Sequence, residues 1–311
     1  MTRSPVLDWL LAGDVSVQFR THRDLLHRDV PTLQARIATE GDGAAILAAR
    51  GPDGHWGRGF YQPKWTSSHY TLLELKNLGI GPGTPQARET VDLILAGEVG
   101  PDGGLNPSRT IRQSDACVNG MALNYSSYFG GDPERVAGVV DFLLRQRMPD
   151  GGFNCRFNRA GARHSSVHTT LSVLEGITEY RRSGHGHRSD ELATVHSDAV
   201  ELLLRHHLYR SERTGRPMDT EFTRLHHPSR WHFDVLRCLD AFADAGVPYD
   251  PRMDDAIAVV EGRRREDGTW PANRPYPGAT HLPATPAGQP DRWITLMATR
   301  VVATYGRGRA P

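Results

Sequence analysis

Pro149-Asp-Gly-Gly-Phe-Asn154, followed by Ser165-Ser-Val-His-Thr-Thr-Leu-Ser-Val-Leu174, decides how the chain is read. The Asp-Gly pair marks a tight turn, because glycine adopts positive φ without a Cβ penalty. The second stretch opens on small hydroxyl residues and runs into apolar ones, the pattern of a capped and then buried helix. The turn recurs at Gly51-Pro-Asp-Gly-His-Trp-Gly57, Gly100-Pro-Asp-Gly-Gly-Leu-Asn106 and Glu266-Asp-Gly-Thr-Trp270. Further helix starts lie at Trp65, Ser114, Ser229 and Asp291.

Between these inner helices, Thr84 to Ala96, Pro133 to Arg147, Asp190 to Leu208 and Pro251 to Arg264 carry apolar residues on one face, as outer helices do. The unit of turn, inner helix and outer helix recurs roughly every 50 to 60 residues in about five copies, and such units bury their apolar faces only by stacking. The expected fold is therefore all-α. Residues 1–30 form an N-terminal helical extension, and 31–306 form helix-pair repeats within a single domain spanning 1–311. Two stretches, Arg210 to Pro228 and Pro271 to Pro290, read as long loops, and loops of that length are usually functional or mobile.

Bulk properties narrow the classes. The chain has 311 residues, 38% of them hydrophobic, with 37 basic and 36 acidic side chains and a net charge of +1. That balance argues against a nucleic-acid binder, whose footprint is a strong basic excess. No run of about 18 apolar residues occurs, so no membrane span is expected. The N-terminus lacks the apolar core of a signal peptide, and three scattered cysteines fit a reducing compartment, so a cytoplasmic location is expected.

The chemistry-bearing stretch is Arg109-Thr-Ile-Arg112-Gln-Ser-Asp115-Ala-Cys117, read with His168. An acid, a thiol and an imidazole at helix starts are residue types that bind zinc. Aligning inner helices by their starts puts His69, Cys117, His168 and His232 in one column. Asp115 and Cys117 gain from the helix N-terminus, which favours carboxylate and thiolate. Arg109 and Arg112 suit an anionic group, and Arg156 and Arg159 repeat their spacing before the next inner helix. Tyr70 and Trp231 stand near inner-helix starts, where aromatic rings shape an apolar pocket. The plainer alternative keeps Asp115 as a helix cap, Cys117 as a small apolar group and His168 as a core histidine.

The turns Asp-Gly-Gly-Phe-Asn and Asp-Gly-Thr-Trp, with inner helices such as His168 to Ile177, resemble the repeats of squalene and terpene cyclases and of protein prenyltransferase β subunits. The resemblance covers roughly residues 30 to 305. It implies an α/α toroid of about five inner and outer helix pairs around a central cavity. The Asp-x-Asp-Asp motif of proton-initiated cyclases is absent. The order Arg109-x-x-Arg112-x-x-Asp115-x-Cys117 and then His168-Thr169 is similar to the prenyltransferase pattern, with Arg112 in place of Lys and Val118 in place of Tyr. By position this implies zinc on Asp115, Cys117 and His168, and a prenyl diphosphate near the arginines. Three readings follow: a zinc-dependent enzyme on an isoprenoid-like substrate, a zinc-dependent hydrolase or lyase on another small molecule, and a non-catalytic toroid for a hydrophobic ligand or partner. A separate partner subunit, as prenyltransferases use, is compatible with the sequence.

Overall fold

A computed structural model describes residues 4–108 and 110–306. In chain order the helices are α1 (Pro5–Leu11), α2 (Val15–Asp24), α3 (Pro31–Arg36), α4 (Gly41–Ala48), α5 (Ser68–Leu78), α6 (Pro85–Gly97) and α7 (Ala116–Phe129). They continue as α8 (Pro133–Arg145), α9 (Phe157–Ala160), α10 (Val167–Arg182), α11 (Ser189–Arg205), α12 (Val235–Asp244), α13 (Asp254–Glu261) and α14 (Arg292–Tyr305). The class is all-α: among the described residues, β pairing is limited to isolated bridges such as Val99 with Leu105. No helix among them is long and apolar enough to cross a membrane.

The helix boundaries have local causes. Proline at the first position opens α6 and α8, where its missing N–H is an orphan in any case. Asp132 caps α8 by accepting from Arg135 N–H at 3.0 Å. Gly130, at φ 73°, ends α7 in the left-handed conformation that glycine adopts most easily. The expected outer helix from Pro251 to Arg264 is shorter than its apolar pattern, with a 3₁₀ turn at Pro251–Met253 ahead of α13.

The chain forms two compact units. One comprises Arg50–Lys76 and Pro82–Leu203, and its repeats share a fastening that the bare sequence does not reveal. The apolar residue of each Asp-Gly turn donates its backbone N–H to a side-chain oxygen on the inner helix that follows. Trp56 donates to Ser68 Oγ at 3.0 Å, Leu105 to Asn119 Oδ1 at 2.8 Å and Phe153 to Thr170 Oγ1 at 3.0 Å. The turn aspartate ties the approach to the helix. Asp102 accepts from Ser114 N–H and Oγ–H at 2.7 and 2.6 Å, and Asp150 from the same groups of Ser165 at 2.8 and 2.6 Å. Trp56, Leu105 and Phe153 are thereby held in the core, where burying a large apolar side chain contributes about 1.5–3 kcal/mol.

Helices α7 and α10 touch through their backbones. A Cβ on Gly120 would lie 2.8 Å from the Ser172 carbonyl oxygen, and one on Gly176 would overlap the Gly120 carbonyl oxygen outright. Two glycines therefore set how close the helices run. The first turns of α7 and α10 become neighbours as a result.

The other unit comprises the described residues up to Ala49, Asn77–Gly81 and those from Leu204 on. It repeats the fastening once, with Trp270 N–H on Thr295 Oγ1 at 2.9 Å. Arg300 binds Asp240 at 3.1 Å and Asp244 at 3.2 Å, and Arg20 binds Asp24 at 2.6 Å. The Pro271 to Pro290 loop is pinned. Ala272 N–H donates to Gln289 O at 2.8 Å, and the Tyr276 ring stacks between His226 at 4.6 Å and His232 at 3.8 Å. Trp231 continues the stack on His232 at 3.9 Å.

Candidate functional site

The fastening bonds give the register of the inner helices directly. Cys117 and His168 each stand two residues past the capping position, Asp115 and Ser166, and two before the fastened residue, Asn119 and Thr170. Their expected equivalence holds. His69 is displaced from that column: it directly follows Ser68, so it shares a place with Gly120 and Leu171 in the core. His232 precedes Asp234, the cap of α12, rather than following it, and belongs with Trp231 to the second unit.

Asp115, Cys117, Cys155 and Arg159 meet at the first turn of α7. The Arg159 guanidinium pairs with the Asp115 carboxylate, and both side chains are about a quarter exposed. The Cys155 sulfur accepts from the Cys117 backbone N–H at 3.2 Å and lies 3.5 Å from Thr169 Oγ1 on α10. The neighbouring thiols shift each other in opposite directions, Cys155 below its ordinary range and Cys117, which is also buried, well above it. Burial raises Asp115, against the lowering influence of Arg159.

Cys155 was not among the residues that spacing singled out. Its loop is built like the preceding one. Asn154 donates to His164 O at 2.9 Å as Asn106 donates to Ile111 O at 2.8 Å, and each asparagine also accepts a backbone N–H two residues on. With Asn154 matched to Asn106, Cys155 corresponds to Pro107. The available signal was a thiol replacing proline at an equivalent loop position, one repeat along from Cys117.

The same unit holds an aromatic cluster. Tyr61 and Tyr70 share a hydrogen bond of 2.9 Å between hydroxyls, and Trp65 packs edge-on to Tyr70 at 4.8 Å. Burial pushes the Tyr61 phenol upward, and the charges of Cys117, Asp115 and Cys155 push it the same way. Behind it, His69 is enclosed by Phe60, Tyr61, Tyr70 and Tyr125, with ring centroids 4.9–5.6 Å away. Its Nε2 has no hydrogen-bond partner.

Burial holds His69 down to about 3, so it is neutral in the fold, while the unfolded chain protonates it near 6.5. The unfolded state therefore binds the extra proton as pH falls below 6.5, and stability drops between about 6.5 and 3. Each unit of that window is worth about 1.4 kcal/mol. His69→Gln is expected to lose about 2.5 kcal/mol less than the parent between pH 7 and pH 4.5, measured by urea unfolding at the two pH values. Equal losses in both proteins would contradict the assignment.

Arg112 and Arg156 are exposed on the flanks of the cluster's segments. Arg109 lies outside the described residues. The expected zinc ligands do not form one donor set as placed: Asp115 is engaged by Arg159 and Cys117 by Cys155. Among the described residues, no three His, Cys, Asp or Glu side chains converge to hold a metal ion. The groups brought together are one acid, two thiols and one guanidinium.

No known family matches the sequence, and no curated protein does. Solved structures of the type II terpene cyclase MstE from Scytonema are similar to the chain. The apo form is 13% identical, with a TM-score of 0.35, and the match covers 87% of this chain and 96% of that one. Two variants of that cyclase, each in complex with geranylgeranyl dihydroxybenzoate, are 16% identical, with TM-scores of 0.33 and 0.36 over 87% of this chain and 95% of theirs.

Proposed function

We propose that the protein is an enzyme acting on an isoprenoid or similar apolar substrate with an anionic, diphosphate-like head, and that the first turns of α7 and α10 hold the reacting end. The observation that carries this reading is the meeting of Asp115, Cys117, Cys155 and Arg159 at the first turn of α7, in the unit that also holds the Tyr61, Tyr70 and Trp65 rings. Aromatic faces suit an alkene or a developing carbocation. The planar fork of Arg159 suits an oxyanion or phosphate, and Arg156 and Arg112 add positive charge nearby. An anionic head would compete with Asp115 for Arg159. Deprived of that counter-charge in a desolvated place, Asp115 takes up a proton more readily, which makes it the acid–base group at the substrate's charged end.

Calorimetric titration of the full chain with geranylgeranyl diphosphate tests this. Saturable binding is expected, about tenfold weaker in Arg159→Ala and weaker again in the Arg156→Ala/Arg159→Ala double variant, since a hydrogen bond to a charged group contributes about 1.5–3 kcal/mol. Unchanged affinity in the double variant, or no binding by the parent, would remove the reading.

A second reading keeps zinc on Asp115, Cys117 and His168, favoured by the acid and thiol lying together at the start of α7. It requires Asp115 to leave Arg159 and Cys117 to leave Cys155. Stoichiometric zinc in purified protein, with a loss of stability on chelation, is the result that reading requires. Metal-free protein prepared with zinc present contradicts it.

A further inference from the structure

The structure brings together two thiols that the sequence separates by a full repeat. Cys155 and Cys117 are both half-buried, so a small reagent reaches them, whereas Cys238 is fully buried. The Cys155 sulfur rests against the Cys117 backbone N–H at 3.2 Å, which sets the two side chains next to each other. The two sulfurs have different surroundings. Cys155 accepts from a backbone N–H at the start of α7 and lies beside the Thr169 hydroxyl, which prepares it to carry negative charge as an attacking group. Cys117, whose backbone N–H touches that sulfur, is the neighbouring thiol that would resolve whatever forms there. The Asp115–Arg159 pair at the rim supplies a proton-transfer group and a cation beside the sulfurs.

We propose that Cys155 and Cys117 form a modification site for hydroperoxides, closing to a disulfide between the 154–160 loop and the first turn of α7. In the first step the Cys155 sulfur attacks one hydroperoxide oxygen. An S–O bond forms, the O–O bond breaks, and the departing alkoxide or hydroxide takes the Cys155 thiol proton, leaving a sulfenic acid and an alcohol or water. In the second step the Cys117 sulfur attacks the Cys155 sulfur. The S–S bond forms, the S–O bond breaks, and the hydroxide leaves as water with the Cys117 proton. Two thiols lose two electrons in all, and the hydroperoxide gains them. The proposal does not depend on the substrate reading, because it concerns the thiols of the resting protein.

The test is to expose the full, folded chain to a small excess of hydrogen peroxide and follow intact mass and thiol content. A product lighter by two hydrogens is expected, with two of the three thiols lost, a peptide cross-linked through Cys117 and Cys155, Cys238 still reduced, and full reversal by a thiol reductant. In Cys117→Ser the sulfenic acid on Cys155 has no resolving thiol and is trapped by dimedone. In Cys155→Ser thiol loss slows by about tenfold or more. Oxygen adducts in the parent without the cross-link, or equal oxidation rates in Cys155→Ser and the parent, would overturn the proposal.

Discussion

Gly176→Ala is expected to cost about 3 kcal/mol or more, at the upper end of overpacking penalties, because the added methyl overlaps the Gly120 carbonyl oxygen and no flexible side chain is there to yield. Helices α7 and α10 would have to separate along their contact. That separation pulls the Cys117 end of α7 away from Thr169 and Cys155. Gly138→Ala, in the middle of α8 with nothing within 4 Å of its added Cβ, should instead stabilise the protein by about 0.5–1 kcal/mol, the ordinary helix preference for alanine over glycine. Urea unfolding of the two variants separates a local helix effect from a packing effect. Similar small shifts in both would mean that α7 and α10 are not in backbone contact.

Asp115→Ala should show the opposite balance, with little change in stability and a large loss of function. Its carboxylate makes no side-chain capping bond to α7, and its pairing with Arg159 is partly solvent-exposed, where such pairs contribute about 0–1 kcal/mol. If it is the acid–base group for the substrate, its removal lowers turnover of geranylgeranyl diphosphate by about a hundredfold or more. Product analysis beside unfolding curves reads both quantities. Full turnover in the variant would leave Asp115 a structural residue.

The fold was legible because its punctuation is chemical. Asp102 and Asp150 sit in tight turns whose glycines take positive φ, and each turn is followed by a helix that begins with hydroxyl or amide side chains. The amphipathic outer segments match α6, α8 and α11 closely. The equivalence of Cys117 and His168 was also readable, since aligning the helices by their starts sets both two residues past the cap.

What the residues could not disclose was the fastening itself. His69 was aligned with Cys117 and His168 by helix start, yet Ser68 is the residue that holds Trp56 N–H, and this shifts His69 by three positions. Three residues turn a helix by roughly 300° and advance it by about 4.5 Å, enough to move an imidazole from a helix mouth into an aromatic core. The partners of Cys117 and Asp115 were hidden for a related reason. Cys155 and Arg159 lie on a loop that the α7–α10 contact brings into place, and that contact depends on Gly120 and Gly176, whose role shows only in three dimensions. The Pro271 to Pro290 segment read as a loop, but its pinning by Tyr276 requires the ring stack with His226 and His232.

The assignment of the functional site to the Asp115, Cys117, Cys155 and Arg159 cluster is tested most directly by the alkylation rate of Cys155 in the full chain, with and without saturating geranylgeranyl diphosphate. A ligand whose head binds Arg159 covers the adjacent sulfur. The rate at Cys155, followed by peptide mass analysis, should fall by about tenfold as the ligand saturates, in proportion to the bound fraction. An unchanged rate at saturation would place the ligand elsewhere and contradict the assignment.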